Sequence, residues 1–153
     1  VGDAARTYAV GQVDEESAKL LSVCEEALRL GVEIVRPGVR LSELAGAIQG
    51  FVEGHGYSVV RDYAGHGVGR EMHEDPRVPN YVDASTRRED VVLRPGYVIA
   101  IEPMVNIGSY HTRAVRERGW DVVVTRDGKR SAHFEHTVAV TEDGRRILTL
   151  PSN

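Results

Sequence analysis

The apolar pattern of this 153-residue chain changes period near Tyr57, and that change sets the order of its elements. Upstream, Leu20, Cys24, Ala27, Leu28, Ile34 and Val35 recur near helical spacing until Pro37-Gly38 ends the run. Asp14 can cap this helix, and Glu15 and Glu16 place acids where the helix dipole favours them. A second run turns Leu44, Ile48, Phe51 and Val52 inward, with Ser42 as its expected cap and Gly54 and Gly56 as its terminators. Ala5 to Val10 reads as a strand ahead of both helices. Downstream, alternation predicts strands near Ser58 to Tyr63, Tyr97 to Val105, Trp120 to Thr125, Ala132 to Thr141 and Arg146 to Leu150. The last three are separated by RDGK and EDGR, hairpin signals that predict an antiparallel meander. Glu74 to Arg94, polar and broken by Pro76 and Pro79, reads as a surface loop. The expected fold class is α+β, an antiparallel sheet covered by two helices.

One domain over residues 1–153 accommodates this length. A net charge of -4, from 19 basic and 23 acidic side chains, supplies no electrostatic basis for nucleic acid or an anionic membrane as partner. The single cysteine, Cys24, lies on the apolar helix face and is expected in the core; a lone thiol fits a cytoplasmic setting. No apolar run reaches membrane length, and the opening VGDAARTYAVG lacks a basic segment followed by an apolar one, so no secretory signal is expected. With Val1 first and strand-like residues close behind it, the chain is expected to begin in mid-domain.

Two strands carry an unexpected acid. In YVIAIEPMV, alternation puts Val98, Ala100 and Glu102 on one face, and Pro103 then removes the next backbone donor. In AHFEHTVAV, His133, Glu135 and Thr137 share a face, opposite Phe134, His136 and Val138. A buried carboxylate requires a partner. Either acid alone reads equally well as an inward functional group or as a bland one that faces solvent or pairs with a Lys or Arg, and His66 alone reads first as a structural histidine. Together, two inward acids and a histidine between Gly65 and Gly67 form a ligand set for a divalent ion of the Mn, Fe, Co or Zn type. His73, His111, His133 and His136 can each be a surface titrating group. The glycines at 65, 67 and 69 do not match the dinucleotide fingerprint, and HEDP is not a zincin motif.

Four segments in order, GDAARTYAVG, GHGVGREMHEDPRVPNY, LRPGYVIAIEPMV and RGWDVVVTRDGKRSAHFEHTVAVTEDG, resemble type I methionine aminopeptidases of the pita-bread fold. The similarity runs over essentially all 153 residues. It implies a cytoplasmic metallopeptidase that removes the initiator methionine from nascent polypeptides with a small second residue, through water activated by divalent metal. It also implies contact with the ribosome through the intact protein. Carried over by position, Asp3 and Glu135 match bridging metal ligands, His66 the histidine ligand, and Glu102 a ligand that is also the general base. His73 matches the histidine that contacts the scissile peptide and steadies the tetrahedral intermediate. Trp120 matches a wall of the methionine pocket, and Met72 stands at a second pocket position.

The family pattern has another aspartate ligand, a catalytic histidine and pocket residues upstream of the position of Val1. The chain is therefore expected to be the C-terminal half of the fold with one extra strand, holding one well-formed metal site of the family's two. A proline-specific peptidase of the same fold, and a pita-bread fragment or binding module without catalysis, are the alternatives.

Overall fold

The computed structural model describes residues 1–88 and 90–150. Its elements are β1 (Ala4–Ala5), α1 (Glu15–Ile34), α2 (Leu41–Gly54), β2 (Ser58–Val59), β3 (Gly65–Gly67), β4 (Glu74–Val78), α3 (Ala84–Arg88), β5 (Val98–Ile101), β6 (Met104–Asn106), β7 (Thr112–Glu117), β8 (Trp120–Thr125), β9 (Ser131–His133), β10 (Glu135–Thr141) and β11 (Gly144–Ile147). All strand pairs are antiparallel, so the chain is α+β as its pattern predicts.

Asp14 caps α1 by accepting the Ser17 amide at 2.7 Å, and Arg130 reaches across to Asp14, Glu16 and Ser17. The α2 cap differs from expectation. Its helix begins at Leu41, Glu43 accepts the Arg40 amide at 3.0 Å, and Ser42 lies inside the first turn. The Asp90 carboxylate accepts both the Ser42 amide and the Ser42 hydroxyl, at 2.9 and 2.7 Å, so a loop acid satisfies a donor the helix leaves free. The two helices pack on each other, and α1 also lies against β5, β6, β9 and β10. Leu28, Leu44, Ile48, Ile99, Ile101 and Val105 are among the buried residues of one core cluster. Cys24 belongs to it as expected, its thiol pushed up to about 12 by burial.

The main sheet runs β1-β10-β5-β3-β4, with β11 also on β10. A second sheet is β2-β6-β9, and β7 pairs only with β8. The segment read as Tyr97 to Val105 passes from the first sheet to the second between β5 and β6, at Glu102-Pro103. The segment read as Ala132 to Thr141 makes the same change of sheet at Phe134, between β9 and β10. Both crossings lie beside an acid.

Several expectations require correction. The three-strand meander does not form: β10 and β11 close a hairpin, with Thr141 opposite Gly144, but β8 pairs with β7 and β9 pairs with β6. The Asp127 carboxylate accepts the Ser109 and Lys129 amides at 2.8 and 3.0 Å, tying the RDGK turn to the residues before β7. Residues Glu74 to Arg94 are more than a loop, since they contain β4, α3 and an isolated bridge from Val92 to Arg40. The strand expected over Ala5 to Val10 is only the two residues of β1.

Candidate metal centre

His66 is central to β3, which lies between β5 and β4. Its glycine neighbours answer to space rather than flexibility. A Cβ at Gly65 would meet the Ala100 carbonyl oxygen at 2.2 Å, and one at Gly67 the Asp75 carbonyl oxygen at 2.2 Å. Only glycines allow this backbone to pass between its neighbours, and the passage buries His66. Nδ1 of His66 lies 2.9 Å from the Gly67 carbonyl, which places a proton on Nδ1 and leaves Nε2 as the nitrogen turned to the site. That Nε2 faces Asp3 Oδ2 at 3.6 Å and Glu102 Oε1 at 3.5 Å.

Glu102 arrives from the β5–β6 crossing and Glu135 from the first residue of β10. Ligand atoms of His66, Glu102 and Glu135 all lie within 4.8 Å of one another. Glu135 is 5% exposed, and its Oε1 is buried without a hydrogen-bond partner. Burial, then the charges of Glu102 and Asp3, push its carboxyl up to about 7. Three carboxylates face one imidazole nitrogen. A divalent cation fits this donor set: it supplies the missing partner for Glu135 and offsets the repulsion among the acids.

Asp3 stands just ahead of β1, and a second donor group joins it to His66 and His73, again within 4.8 Å. Both groups use His66, whose only unbonded ring nitrogen is Nε2, so they share one nitrogen between them. His73 sits before β4, exposed, with its ring 4.2 Å from that of His66. Met72 precedes it at 48% exposure. Trp120 opens β8 at 76% exposure, paired with Glu117 in the two-stranded sheet. The structure therefore brings Asp3, His66, His73, Glu102 and Glu135 together and leaves Met72 and Trp120 on the surface.

Sequence reasoning missed three further residues. His133, read as a surface group, has Nε2 buried 3.3 Å from Glu102 Oε2, without hydrogen-bond geometry. Its place on the same face as Glu135 was the available signal. Asn80 is fully buried and donates to the Glu102 carbonyl at 3.1 Å, and Thr137 is fully buried against Asp3. Polar residues inside apolar stretches were the only hint of these two. His136 is half-buried, with Nδ1 2.9 Å from Thr149 Oγ1, and burial holds its pKa below the usual histidine value. Behind the site, a groove of about 900 Å³ opens between α1, β1 and the β10–β11 hairpin, lined by residues that include Tyr8, Leu28, Phe134, Glu135 and Ile147.

The family model described as metallopeptidase family M24 matches residues 1–142. Methionine aminopeptidase 1 of Bacillus subtilis is 50% identical over 148 residues, which are 97% of this chain and 58% of that protein. The crystal structure of methionine aminopeptidase from Thermotoga maritima superimposes with a TM-score of 0.89 at 50% identity, covering 98% of this chain and 58% of that one. The prolidase from Pyrococcus horikoshii has a TM-score of 0.71 at 28% identity, covering 99% of this chain and 37% of that one. The chain thus spans 58% of the length of the Bacillus protein it matches.

Proposed function

This chain belongs to metallopeptidase family M24, and we propose that it forms the metal-bearing part of a methionine aminopeptidase. The substrate would be a nascent polypeptide whose initiator methionine precedes a small residue. The observation that carries this reading is the convergence of Asp3, His66, Glu102 and Glu135, with a buried Glu135 oxygen that has no hydrogen-bond partner. The 50% identity to a methionine aminopeptidase, against 28% to a prolidase, favours methionine over proline specificity.

Asp3, His66, Glu102 and Glu135 would hold one Mn, Fe, Co or Zn ion, since both donor groups depend on the same His66 nitrogen. When bound, such an ion lowers the pKa of a coordinated water towards neutrality and polarises a peptide carbonyl. The chain's own groups do the rest. The Gly67 carbonyl, 2.9 Å from Nδ1, orients the His66 ring so that Nε2 is aimed at the site. Glu102 accepts a proton from water, and His133, 3.3 Å from its Oε2, faces the carboxylate from the far side. His73, on the exposed side of His66, hydrogen-bonds the scissile peptide and stabilises the developing oxyanion. Met72 and Trp120 offer apolar surface to the methionine side chain.

Because the chain spans 58% of the Bacillus protein, the rest of the cleft would come from the remaining length of a longer polypeptide, seated in the groove beside Glu135. A cytoplasmic enzyme working near the ribosome completes the reading; among the described residues no helix is long and apolar enough to cross a membrane. A binding role without catalysis is the second reading, favoured by the exposure of Trp120. Release of free methionine from Met-Ala-Ser with added Mn²⁺ or Co²⁺ tests the assignment. Turnover that disappears in Glu102→Gln supports it, and full activity in that variant contradicts it.

A further inference from the structure

We infer that Thr137 is the positioning residue for Asp3 and so makes the first residues of the chain part of the cation site; this rests on the metal-site reading above. Asp3 lies outside β1, whose ladder to β10 pairs only Ala4 with His136 and Ala5 with Glu135. The next step of that register would set Asp3 against Thr137, but the Thr137 main chain is already engaged. Its amide donates to Thr149 Oγ1 at 3.2 Å, and its carbonyl accepts the Leu148 amide at 2.9 Å.

The Thr137 hydroxyl takes over. It accepts the Asp3 amide at 2.9 Å and donates to the Asp3 carbonyl at 2.7 Å. One side chain thus satisfies both backbone groups of a metal-site carboxylate, where a ladder would have used two main-chain groups. Thr137 is itself fully buried in the sheet, opposite Ala100 of β5, so its position is set by the core. Asp3 has no comparable support of its own, because β1 is two residues long and Asp3 is partly exposed. Valine at position 137 preserves shape and branching but leaves both Asp3 groups without this partner, whereas serine retains the hydroxyl.

The test is Mn²⁺ titration calorimetry on the chain and its variants, with thermal unfolding as the folding control. Thr137→Val should weaken Mn²⁺ binding about 10- to 100-fold, the usual span for groups that orient metal ligands. Thr137→Ser should stay within about 3-fold of the unsubstituted chain, and in an Asp3→Ala background Thr137→Val should add little, since its effect runs through Asp3. A Thr137→Val protein that binds Mn²⁺ normally overturns the inference. So does a serine variant as weak as the valine variant, or an undiminished effect of Thr137→Val without Asp3. Amide hydrogen exchange at Asp3, followed by NMR without metal, separates this failure from that of the site itself. Exchange should quicken about 10-fold or more in Thr137→Val and not in Thr137→Ser. Unchanged exchange contradicts the anchoring, while quickened exchange in proteins that take up no Mn²⁺ contradicts the metal site.

Discussion

The donors buried in the main sheet and the side chains on its exposed rim are built differently. His66, Glu102 and Glu135 come from strands, or a strand crossing, paired on both sides, with Gly67 holding the His66 ring and Asn80 the Glu102 backbone. His73 and Met72 lie in the connection between β3 and β4, and Trp120 on a ribbon whose sheet has only two strands. A two-stranded ribbon draws little stability from its own pairing. The proposed cation donors therefore belong to the core of this chain, whereas His73, Met72 and Trp120 lie on its exposed rim.

The comparison breaks most directly at Glu135. Glu135→Gln removes one of three facing carboxylates at constant shape, so Mn²⁺ binding should fall about 100-fold or more. The same change should raise the melting temperature of the metal-free protein at pH 8, because it removes a buried charge. Calorimetry and a thermal scan read the two effects. A variant that lost binding and was also less stable without metal would show that Glu135 has a structural partner instead.

The pH dependence is next in size. The Glu135 carboxyl is pushed from 4.5 up to about 7, so between those values the folded chain keeps a proton that the unfolded chain releases. The resulting stability is present in full below about pH 4.5 and is lost as pH rises through about 7, on the order of 3 kcal/mol. Melting of metal-free protein between pH 5.5 and 8 should follow that decline, and Mn²⁺ should restore more at pH 8 than at pH 5.5. A profile flat through pH 7 in metal-free protein contradicts this placement of Glu135.

His133→Gln, on the buried side, should weaken Mn²⁺ binding about 10-fold by releasing Glu102 on its far side. Trp120→Ala, on the exposed side, should leave Mn²⁺ binding unchanged and stability within about 0.5 kcal/mol, while raising the KM of any methionyl peptide that is turned over. Equal effects of the two substitutions on Mn²⁺ binding would erase the distinction between core and rim.

Both helices and both inward acids were legible because each rests on periodicity, and period is what apolar burial imposes on a chain. The interruptions at Glu102-Pro103 and Phe134 were less so. Alternation carries through both places, and only tertiary pairing reveals that one segment serves two sheets. The two Asp-Gly turns show the same limit. EDGR closes a hairpin, but β8 had already found a partner upstream through Arg118-Gly119, whose φ values of 48° and 88° form a tight turn without an Asn-Gly or Asp-Gly signal. The site divides likewise. Residue types pointed to His66, Glu102 and Glu135, and the family resemblance added Asp3 and His73. Asn80 and Thr137 act on backbone groups far along the chain, contacts that no local pattern encodes.

Titration of the metal-free chain with Mn²⁺ at pH 7.5, alongside Glu135→Gln, tests the central claim most directly. A built site predicts saturation at one ion per chain in the unsubstituted protein and its loss in the variant. Binding that fails to saturate, or that is equal in the two proteins, would contradict it.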